Sequence, residues 1–267
     1  MADVVVVGAG LAGVRTCAEL RAAGFAGSLL VLGAESDPPY DRPPLSKDPH
    51  EQVDLRPAMG LDIWSLADEV RLGVRVDGVD RAGDSAPGDA WRLTCSDGSG
   101  VRAGTLVVAT GADPVLARDW DLPGVHVLHT RSDAAEFWPR VGLGVQLVVI
   151  GGGWVGCEAA ATAATRGAQV QLFESGPALL AGRVPAEVAD RVAGWLAGLG
   201  VTVSLGRSVQ RISVDGSALQ VADRRAEVVL AALGVRPATG WLADARVATA
   251  GDGAVLVDGW GRSEAPG

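Results

Sequence analysis

The clearest pattern along the chain is a short apolar run that ends in a glycine-rich turn and continues into a helical stretch. It occurs once near the start of the chain and again near its middle. The predicted strand, helix and strand are 3–7, about 11–23 and 29–32 in the first copy, and 146–150, about 154–166 and 169–173 in the second. This alternation predicts parallel strands with helices packed on them, which is an α/β fold.

The segments between and after the two copies contain further predicted elements. A proline-rich loop at 37–49 leads to a helix-or-strand region up to about 80, a β-meander at 83–105 and an apolar strand at Thr105–Val108. After the second copy we predict a helix at 185–199, strands at 201–204, 209–214, 218–222 and 227–232, and the start of another strand within 253–262.

Each turn carries glycines with the spacing G-x-G-x-x-G. They are Gly8, Gly10 and Gly13 in the first copy, and Gly151, Gly153 and Gly156 in the second. The first glycine allows the tight turn, the second lets backbone N–H groups approach a pyrophosphate, and the third lets the helix pack on the strand. The helix N-terminus then attracts the phosphate charge. The alternative is an ordinary strand–turn–helix with incidental glycines, since one such motif alone is weak evidence.

An acidic residue follows the second strand of each copy. Glu35 lies 25 residues after Gly10, and Glu174 lies 21 residues after Gly153. A carboxylate in this context accepts hydrogen bonds from ribose hydroxyls. The two copies lie 143 residues apart, which indicates a duplicated nucleotide-binding domain rather than a solenoid repeat. We therefore predict two Rossmann-like, three-layer domains, and two nucleotides in one protein suggest electron transfer between them.

Composition and charge narrow the class of protein. The chain has 267 residues, 48% of them hydrophobic and 21% charged, as in a globular protein of one large or two ordinary domains. A net charge of −9 without a basic stripe argues against nucleic acid as a partner. Asp3 precedes the first apolar run, which lacks the features of a signal peptide, and no run predicts a membrane span. We expect a cytoplasmic protein.

The three cysteines, Cys17, Cys95 and Cys157, are far apart in the sequence. None belongs to a C-x-x-C or C-x₄-C motif, so neither a redox-active disulfide nor an iron–sulfur centre is predicted. We interpret them as small packing residues and predict no metal site.

The segment from Pro38 to Lys47 follows closely on Glu35. It contains the only lysine, Lys47, among 23 lysines and arginines, and the only tyrosine, Tyr40. The loss of every other lysine suggests that position 47 needs a compact ammonium rather than a planar guanidinium, although one residual lysine could also fall there by chance. The prolines keep the loop extended and stiff, which suits the presentation of Arg42 and Lys47 to a ligand.

The chain resembles the flavin-dependent, NADH-oxidising ferredoxin reductases, the class that includes putidaredoxin, rubredoxin and biphenyl-dioxygenase ferredoxin reductases. The matching residues are Gly8–Gly13, Glu35, Tyr40–Lys47, Val108–Ala112, Gly151–Glu158, Glu174, Arg183 and Gly234–Pro237. The resemblance covers almost the whole chain, and the segment 40–47 is its most specific part.

This resemblance implies FAD and NADH as cofactors. The residues that would bind FAD are Gly8, Ala9, Gly10, Leu11, Ala12, Gly13, Glu35, Arg42, Lys47, Val79, Ala109, Thr110 and Gly111. Those that would bind NADH are Gly151, Gly153, Trp154, Val155, Gly156, Glu174, Arg183 and Gly234. Glu174 would accept from the adenosine ribose and repel a 2′-phosphate, which favours NADH over NADPH.

The resemblance also implies a reaction. Lys47 and Glu158 would be the catalytic residues, forming an ion pair beside the flavin where the nicotinamide docks; a surface carboxylate next to a stray lysine is the alternative. Hydride would pass from NADH to FAD, and single electrons would then pass to an iron–sulfur ferredoxin that serves an oxygenase or a P450. A cationic Lys47 would stabilise the reduced flavin electrostatically.

The resemblance implies an FAD-binding domain over 1–113, an NAD-binding domain over 114–238 and a return into the first domain over 239–267. Family members continue further, so we expect the first domain to be incomplete at its C-terminal end and a C-terminal α+β domain to be absent. Two alternatives stay open: a non-catalytic nucleotide-binding or scaffolding protein, and another NADH-dependent flavin reductase without redox-active cysteines. Oligomeric state is not predicted.

Overall fold

A computed structural model describes residues 1–47, 54–81, 91–216 and 218–264. The chain divides into a first unit, Met1–Asp41, Val53–Asp113 and Arg236–Gly267, and a second unit, Arg42–Gln52 and Pro114–Val235. The division after Asp113 coincides with an expected boundary. The other division follows Val235 rather than residue 238, and Arg42–Gln52 groups with the second unit, which the sequence analysis did not foresee.

The strands are β1 Ala2–Val7, β2 Leu29–Gly33, β3 Glu69–Leu72, β4 Val76–Arg81, β5 Trp91–Cys95, β6 Gly100–Val108, β7 Ala112–Pro114, β8 Val125–His126, β9 Gln146–Ile150, β10 Gln169–Phe173, β11 Thr202–Ser204, β12 Ile212–Asp215, β13 Ala218–Val221, β14 Arg224–Ala226, β15 Val228–Ala231 and β16 Val235–Pro237. The α-helices are α1 Leu11–Ala22, α2 Pro44–Lys47, α3 Leu55–Met59, α4 Ile63–Leu66, α5 Arg131–Phe137, α6 Trp154–Thr165 and α7 Ala186–Gly198. Short 3-10 helices cover Arg118–Trp120, Trp138–Arg140 and Gly240–Ala245.

The described part of the first unit forms a six-stranded sheet in the order β3-β2-β1-β6-β5-β4. Strand β1 lies in its middle, parallel to both β2 and β6. Val4 and Val6 pack in one buried cluster with Val14 of α1, whereas Val5 and Val7 pack in another. Because successive side chains point to opposite faces and both faces are buried, the run at β1 is apolar at every position from Val4.

The described part of the second unit forms a five-stranded sheet in the order β11-β10-β9-β15-β8 and a separate three-stranded antiparallel sheet, β12-β13-β14. Alternate residues of β9, Val148 and Ile150, pack in one cluster with Leu219 and Val221 of the three-stranded sheet. Helix α6 packs on β9 and β10. The predicted α/β class with parallel, Rossmann-like sheets is confirmed.

Most predicted elements agree with the structure to within two or three residues. Helix α5 was missed, although Thr130 and Asp133 form a capping box at its start. The predicted strand within 253–262 is wrong: apart from a single bridge between Thr249 and Val255, the segment consists of turns and irregular backbone. The parts of the predicted meander at 83–90 and of the proline-rich loop at 48–49 lie outside the described residues.

Within the described ranges, no helix is both long enough and apolar enough to span a bilayer.

Candidate dinucleotide sites

The first glycine turn is packed tightly between strand ends. Gly8 has φ +114°, and a Cβ there would lie 2.1 Å from the carbonyl oxygen of Ala109. A Cβ on Gly13 would lie 1.9 Å from the carbonyl oxygen of Gly8. The Gly8 N–H donates to the Leu32 carbonyl over 2.8 Å, which ties the turn to β2. Only glycine fits at positions 8 and 13, for steric reasons internal to the protein.

The middle glycine of this turn has a different environment. Gly10 caps α1 with ordinary extended backbone, φ −76° and ψ −175°, and a Cβ there would meet no atom of the described residues within 4 Å. No side chain caps the helix by a hydrogen bond, and no acidic residue occupies its first turn. The helix N-terminus therefore faces open space beside Gly10, and its N–H groups and dipole suit a phosphate there.

The second glycine turn repeats this geometry closely. Gly151 has φ +109°, with the Ala232 carbonyl oxygen 2.2 Å from its added Cβ, and Gly156 lies against Gly151 as Gly13 lies against Gly8. Gly153 caps α6 with φ −77° and ψ −172°, again beside open space and without a side-chain cap. The Gly151 N–H donates to the Phe173 carbonyl over 2.8 Å. Both turns thus have the open cradle that a pyrophosphate requires.

The two acidic residues do not occupy equivalent places. Leu32 and Phe173 correspond, because each accepts the hydrogen bond from the first glycine of its turn. The next residue is Gly33 in the first unit but Glu174 in the second. A Cβ on Gly33 would lie 2.8 Å from the Cβ of Ala9, so a side chain there would crowd the turn. The spacings in the sequence, 25 and 21 residues, did not by themselves show which position after the strand each acidic residue occupies.

Glu174 is bound by backbone donors of its own unit. Its Oε2 accepts from the Gly152 N–H over 2.6 Å, and its Oε1 accepts from the Gly176 N–H over 2.6 Å. Hydrogen bonds to an ionised acceptor are among the strong ones. Glu174 therefore holds the second glycine turn directly, a contact that the sequence analysis did not anticipate. Oε1 also accepts from the Ser175 hydroxyl over 3.3 Å, so the further lone-pair capacity for a ribose hydroxyl lies on Oε2.

Glu35 makes a different contact. Its Oε2 accepts from the hydroxyl of Tyr40 over 2.6 Å, and the Tyr40 side chain is buried. The Glu35 backbone carbonyl accepts from the Gly73 N–H. Tyr40, an aromatic side chain from the proline-rich segment, therefore contacts the first acid.

Apolar side chains at the starts of both helices are left exposed. Leu11 is 41% exposed, Trp154 51% and Val155 40%. Ala9, Ala109 and Thr110 are half-buried beside the first turn, whereas Ala12, Gly111, Arg183 and Gly234 are exposed. Val79 is 2% exposed, and its side chain packs in the core, so only its backbone is available to a cofactor.

Lys47 and Glu158 are brought together within the second unit. The Lys47 ammonium lies 3.7 Å from Oε1 of Glu158, with the side chains 55% and 32% exposed. Oε2 of Glu158 accepts from the hydroxyl of Ser46 over 2.7 Å. The sequence predicted the pairing of Lys47 with Glu158 but not the contact made by Ser46, the residue next to this lysine.

Arg42 is in contact with His129. Its Nη1 lies 2.8 Å from Nε2 of His129 and donates to the His129 carbonyl over 2.9 Å. Asp133 accepts from the His129 N–H, so the arginine contacts a fixed turn at the start of α5.

The similarity of the chain to a sequence family decides its classification. Residues 2–267 match the family described as pyridine nucleotide-disulphide oxidoreductase. The chain belongs to this family.

The similarity to ferredoxin reductases that the sequence predicted is also confirmed. A ferredoxin–NAD(P)(+) reductase of Sphingomonas is 38% identical over 198 aligned positions, which cover 71% of this chain and 45% of the relative. The ferredoxin–NAD(+) reductase component of the biphenyl dioxygenase system of Paraburkholderia xenovorans is 34% identical, covering 98% of this chain and 65% of the relative.

A solved structure gives the same result. The ferredoxin reductase for the CYP199A2 system from Rhodopseudomonas palustris matches with a TM-score of 0.85 and 28% identity, covering 99% of this chain and 66% of that one. The chain of this family member therefore spans between about half and two thirds of the length of these proteins.

The cysteines of this family member do not form a redox pair. Cys17, Cys95 and Cys157 are all buried and free. Burial raises the pKa of each thiol, that of Cys157 to about 11. A thiol of this kind is neutral at physiological pH and a poor nucleophile. Within the described ranges, no group of three or more histidine, cysteine, aspartate or glutamate side chains could hold a metal ion.

Proposed function

We propose that this chain is the FAD- and NADH-binding part of an NADH-dependent ferredoxin reductase, with FAD bound by the first unit and NADH by the second. The repeated glycine turn is the observation that supports the proposal most strongly. Gly10 and Gly153 both lie at uncapped helix N-termini beside open space. This geometry suits one dinucleotide pyrophosphate in each unit.

The residues proposed for each cofactor are those of the sequence analysis. For FAD they are Gly8–Gly13, Glu35, Ala109, Thr110, Gly111 and the backbone of Val79 in the first unit, and Arg42 and Lys47, which group with the second unit. For NADH they are Gly151, Gly153, Trp154, Val155, Gly156, Glu174, Arg183 and Gly234. FAD, when bound, converts the two-electron oxidation of NADH into single-electron steps.

Lys47 and Glu158 are the proposed catalytic residues. Their charged groups already face each other at 3.7 Å, and half of the Lys47 side chain is open to solvent and to a ligand. A fixed ammonium beside the bound flavin would favour negative charge there, while Glu158 keeps the ammonium in place.

The proposed electron acceptor is an iron–sulfur ferredoxin, and the proposed location is the cytoplasm. The relatives named above support the acceptor, because both are named as ferredoxin reductases. The dioxygenase or P450 system that such a ferredoxin would serve is part of the same proposal.

An absorption spectrum tests the proposal directly. The purified chain is saturated with FAD, freed of unbound flavin and mixed anaerobically with NADH. We expect a bound-flavin spectrum that bleaches on addition of NADH. Absence of bound flavin would favour a nucleotide-binding protein without catalysis, and bound flavin that NADH leaves oxidised would contradict the reductase reaction.

Substitution of Lys47 tests the catalytic assignment. Lys47→Met should slow flavin reduction by NADH while FAD stays bound, because the positive charge is removed. Lys47→Arg is the matched control: it keeps the charge but replaces the compact ammonium with a planar group. Stopped-flow absorbance gives the rates, and a wild-type rate in Lys47→Met would remove Lys47 from the mechanism.

A further inference from the structure

The short helix α2 is held at its C-terminal end by side-chain donors. It has only four residues, so its last carbonyl groups lack helical partners. The indole Nε1 of the buried Trp138 donates to the Leu45 carbonyl over 2.8 Å. The hydroxyl of Thr162 lies 3.0 Å from the Ser46 carbonyl oxygen and 3.1 Å from that of Lys47. These contacts fix the backbone from which the Lys47 side chain extends.

The same face of α6 also receives the Ser46 side chain. Glu158 and Thr162 are four residues apart in this helix and so lie side by side. Glu158 accepts from the buried Ser46 hydroxyl through Oε2, which leaves Oε1 to face the Lys47 ammonium. Ser46 thus orients the carboxylate, while Thr162 anchors the helix that carries the lysine.

The ion pair between Lys47 and Glu158 cannot by itself hold the two side chains in these positions. A charge pair separated by 3.7 Å with the lysine half exposed contributes little, and a lysine side chain loses much rotamer freedom when it is fixed. In contrast, the Ser46 hydroxyl is buried and donates to an ionised acceptor, which makes a strong and directional contact.

We propose that Ser46 and Thr162 are positioning residues that set the Lys47 ammonium against Glu158. The consequence for catalysis rests on the function proposed above, but the arrangement itself is a property of this chain. Neither residue touches the reacting atoms; each acts through Lys47 or Glu158.

The single lysine provides a readout that is independent of flavin chemistry. Lys47 is the only lysine, so side-chain acylation found by peptide mass spectrometry reports on its amine alone. An amine held against Glu158 is less free to reach an acyl donor than one that moves among many rotamers. We would measure the rate of acetylation by an N-hydroxysuccinimide ester in the whole chain, with and without FAD.

The variants form a series with internal references. Glu158→Gln removes the ion pair and sets the fastest rate of acetylation. Ser46→Ala and Thr162→Val should each increase the rate over wild type without exceeding Glu158→Gln, which means at most about fivefold, because each acts only through an ion pair worth about 1 kcal/mol or less. Thr162→Ser, which keeps a hydroxyl, should restore the wild-type rate. Thr165→Val is the matched control, since the Thr165 hydroxyl only contacts the Thr162 carbonyl within α6.

Flavin reduction by NADH is measured on the same variants. We expect Ser46→Ala and Thr162→Val to lower the limiting reduction rate more than they raise the NADH concentration at half-saturation, because the ammonium is displaced while the dinucleotide turn is intact. If Ser46→Ala does not fold, the proposal is tested by comparing Thr162→Val with Thr162→Ser, which restores the hydroxyl.

The outcomes separate this inference from the proposed function. Acetylation rates in Ser46→Ala and Thr162→Val equal to wild type would overturn the positioning roles, even if NADH reduces the flavin. An unchanged rate in Glu158→Gln would also overturn them, because no ion pair would exist to be positioned. The expected order of acetylation rates in a protein that NADH fails to reduce would support the positioning roles and contradict the reductase.

Discussion

The two glycine turns share one backbone conformation but differ in how the neighbouring acidic side chain is held. In both units the carbonyl of the residue that follows the neighbouring strand closes in the first glycine, the first glycine closes in the third, and the middle glycine faces open space. In the second unit Glu174 follows the strand directly and binds the backbone of the turn. In the first unit that position is Gly33, and Glu35 lies two residues further on.

This difference shows which part of the motif is constrained by packing and which part is free to vary. Close packing requires the first and third glycines, because strand, turn and helix come within contact distance there, whereas the middle glycine leaves the space that a phosphate would need. The ribose side needs only a carboxylate near the strand end. Backbone N–H groups position this carboxylate in one unit, and Tyr40 contacts it in the other.

The largest effect is expected from alanine at the third glycine of either turn. In Gly13→Ala and Gly156→Ala the added Cβ would lie 1.9 Å from a backbone carbonyl oxygen, so strand and helix must separate. We expect the free energy of unfolding to fall by about 3 kcal/mol or more in each variant. Denaturant titration of the two variants measures the free energy of unfolding. A large loss of stability in only one variant would show that the two turns are not structurally equivalent.

Alanine at the middle glycine of either turn should weaken dinucleotide binding but leave the stability of the fold nearly unchanged. Gly10→Ala and Gly153→Ala place a Cβ in open space on favourable backbone, so the free energy of unfolding should change by less than about 0.5 kcal/mol. The same Cβ occupies the phosphate position, and affinity should fall at least roughly tenfold, by about 1.4 kcal/mol. Flavin retention reports on Gly10→Ala, and calorimetric titration with NADH reports on Gly153→Ala; unaltered binding in both would argue against phosphate at these turns.

Glutamine in place of the two acids should sharpen the difference between the units. In Glu174→Gln one of two backbone N–H groups faces an amide NH₂ instead of an acceptor, which costs about 1–3 kcal/mol of unfolding free energy. In Glu35→Gln the amide oxygen still accepts from Tyr40, so the loss should be smaller. Thermal unfolding of both variants gives the comparison, and equal losses would mean that Glu174 does not hold its turn in solution.

The smallest effect is expected from thiol reagents. Cys17 and Cys157 follow the first and second turns, and burial raises the pKa of both thiols, that of Cys157 to about 11. Native protein at neutral pH should therefore remain unlabelled by iodoacetamide, while unfolded protein labels at all three cysteines. Because the folded pKa of Cys157 lies above its unfolded value, this contribution to stability is complete below pH ~9 and is lost as pH rises towards ~11. Rapid labelling of the native chain would contradict the burial of these thiols.

Some features that the sequence did not reveal had a readable signal, and others had none. The capping box formed by Thr130 and Asp133 predicts the start of helix α5. The i, i+4 spacing of Glu158 and Thr162 places both on one face of helix α6. No local pattern indicates that Ser46 lies against Glu158, because the two are 112 positions apart. Likewise, the grouping of Arg42–Gln52 with the second unit depends on contacts with α5 and α6 that are distant in the sequence.

The sequence alone determined the α/β class and the two glycine turns. These follow from local patterns, because strand, turn and helix of each turn are adjacent in the chain and packing restricts the glycines to one spacing. Only the tertiary structure decided the register of the two acids and the contacts that fix α2. Both depend on which backbone and side-chain groups meet across long sequence separations, and hydrogen bonds of that kind leave no periodic trace in the order of residues.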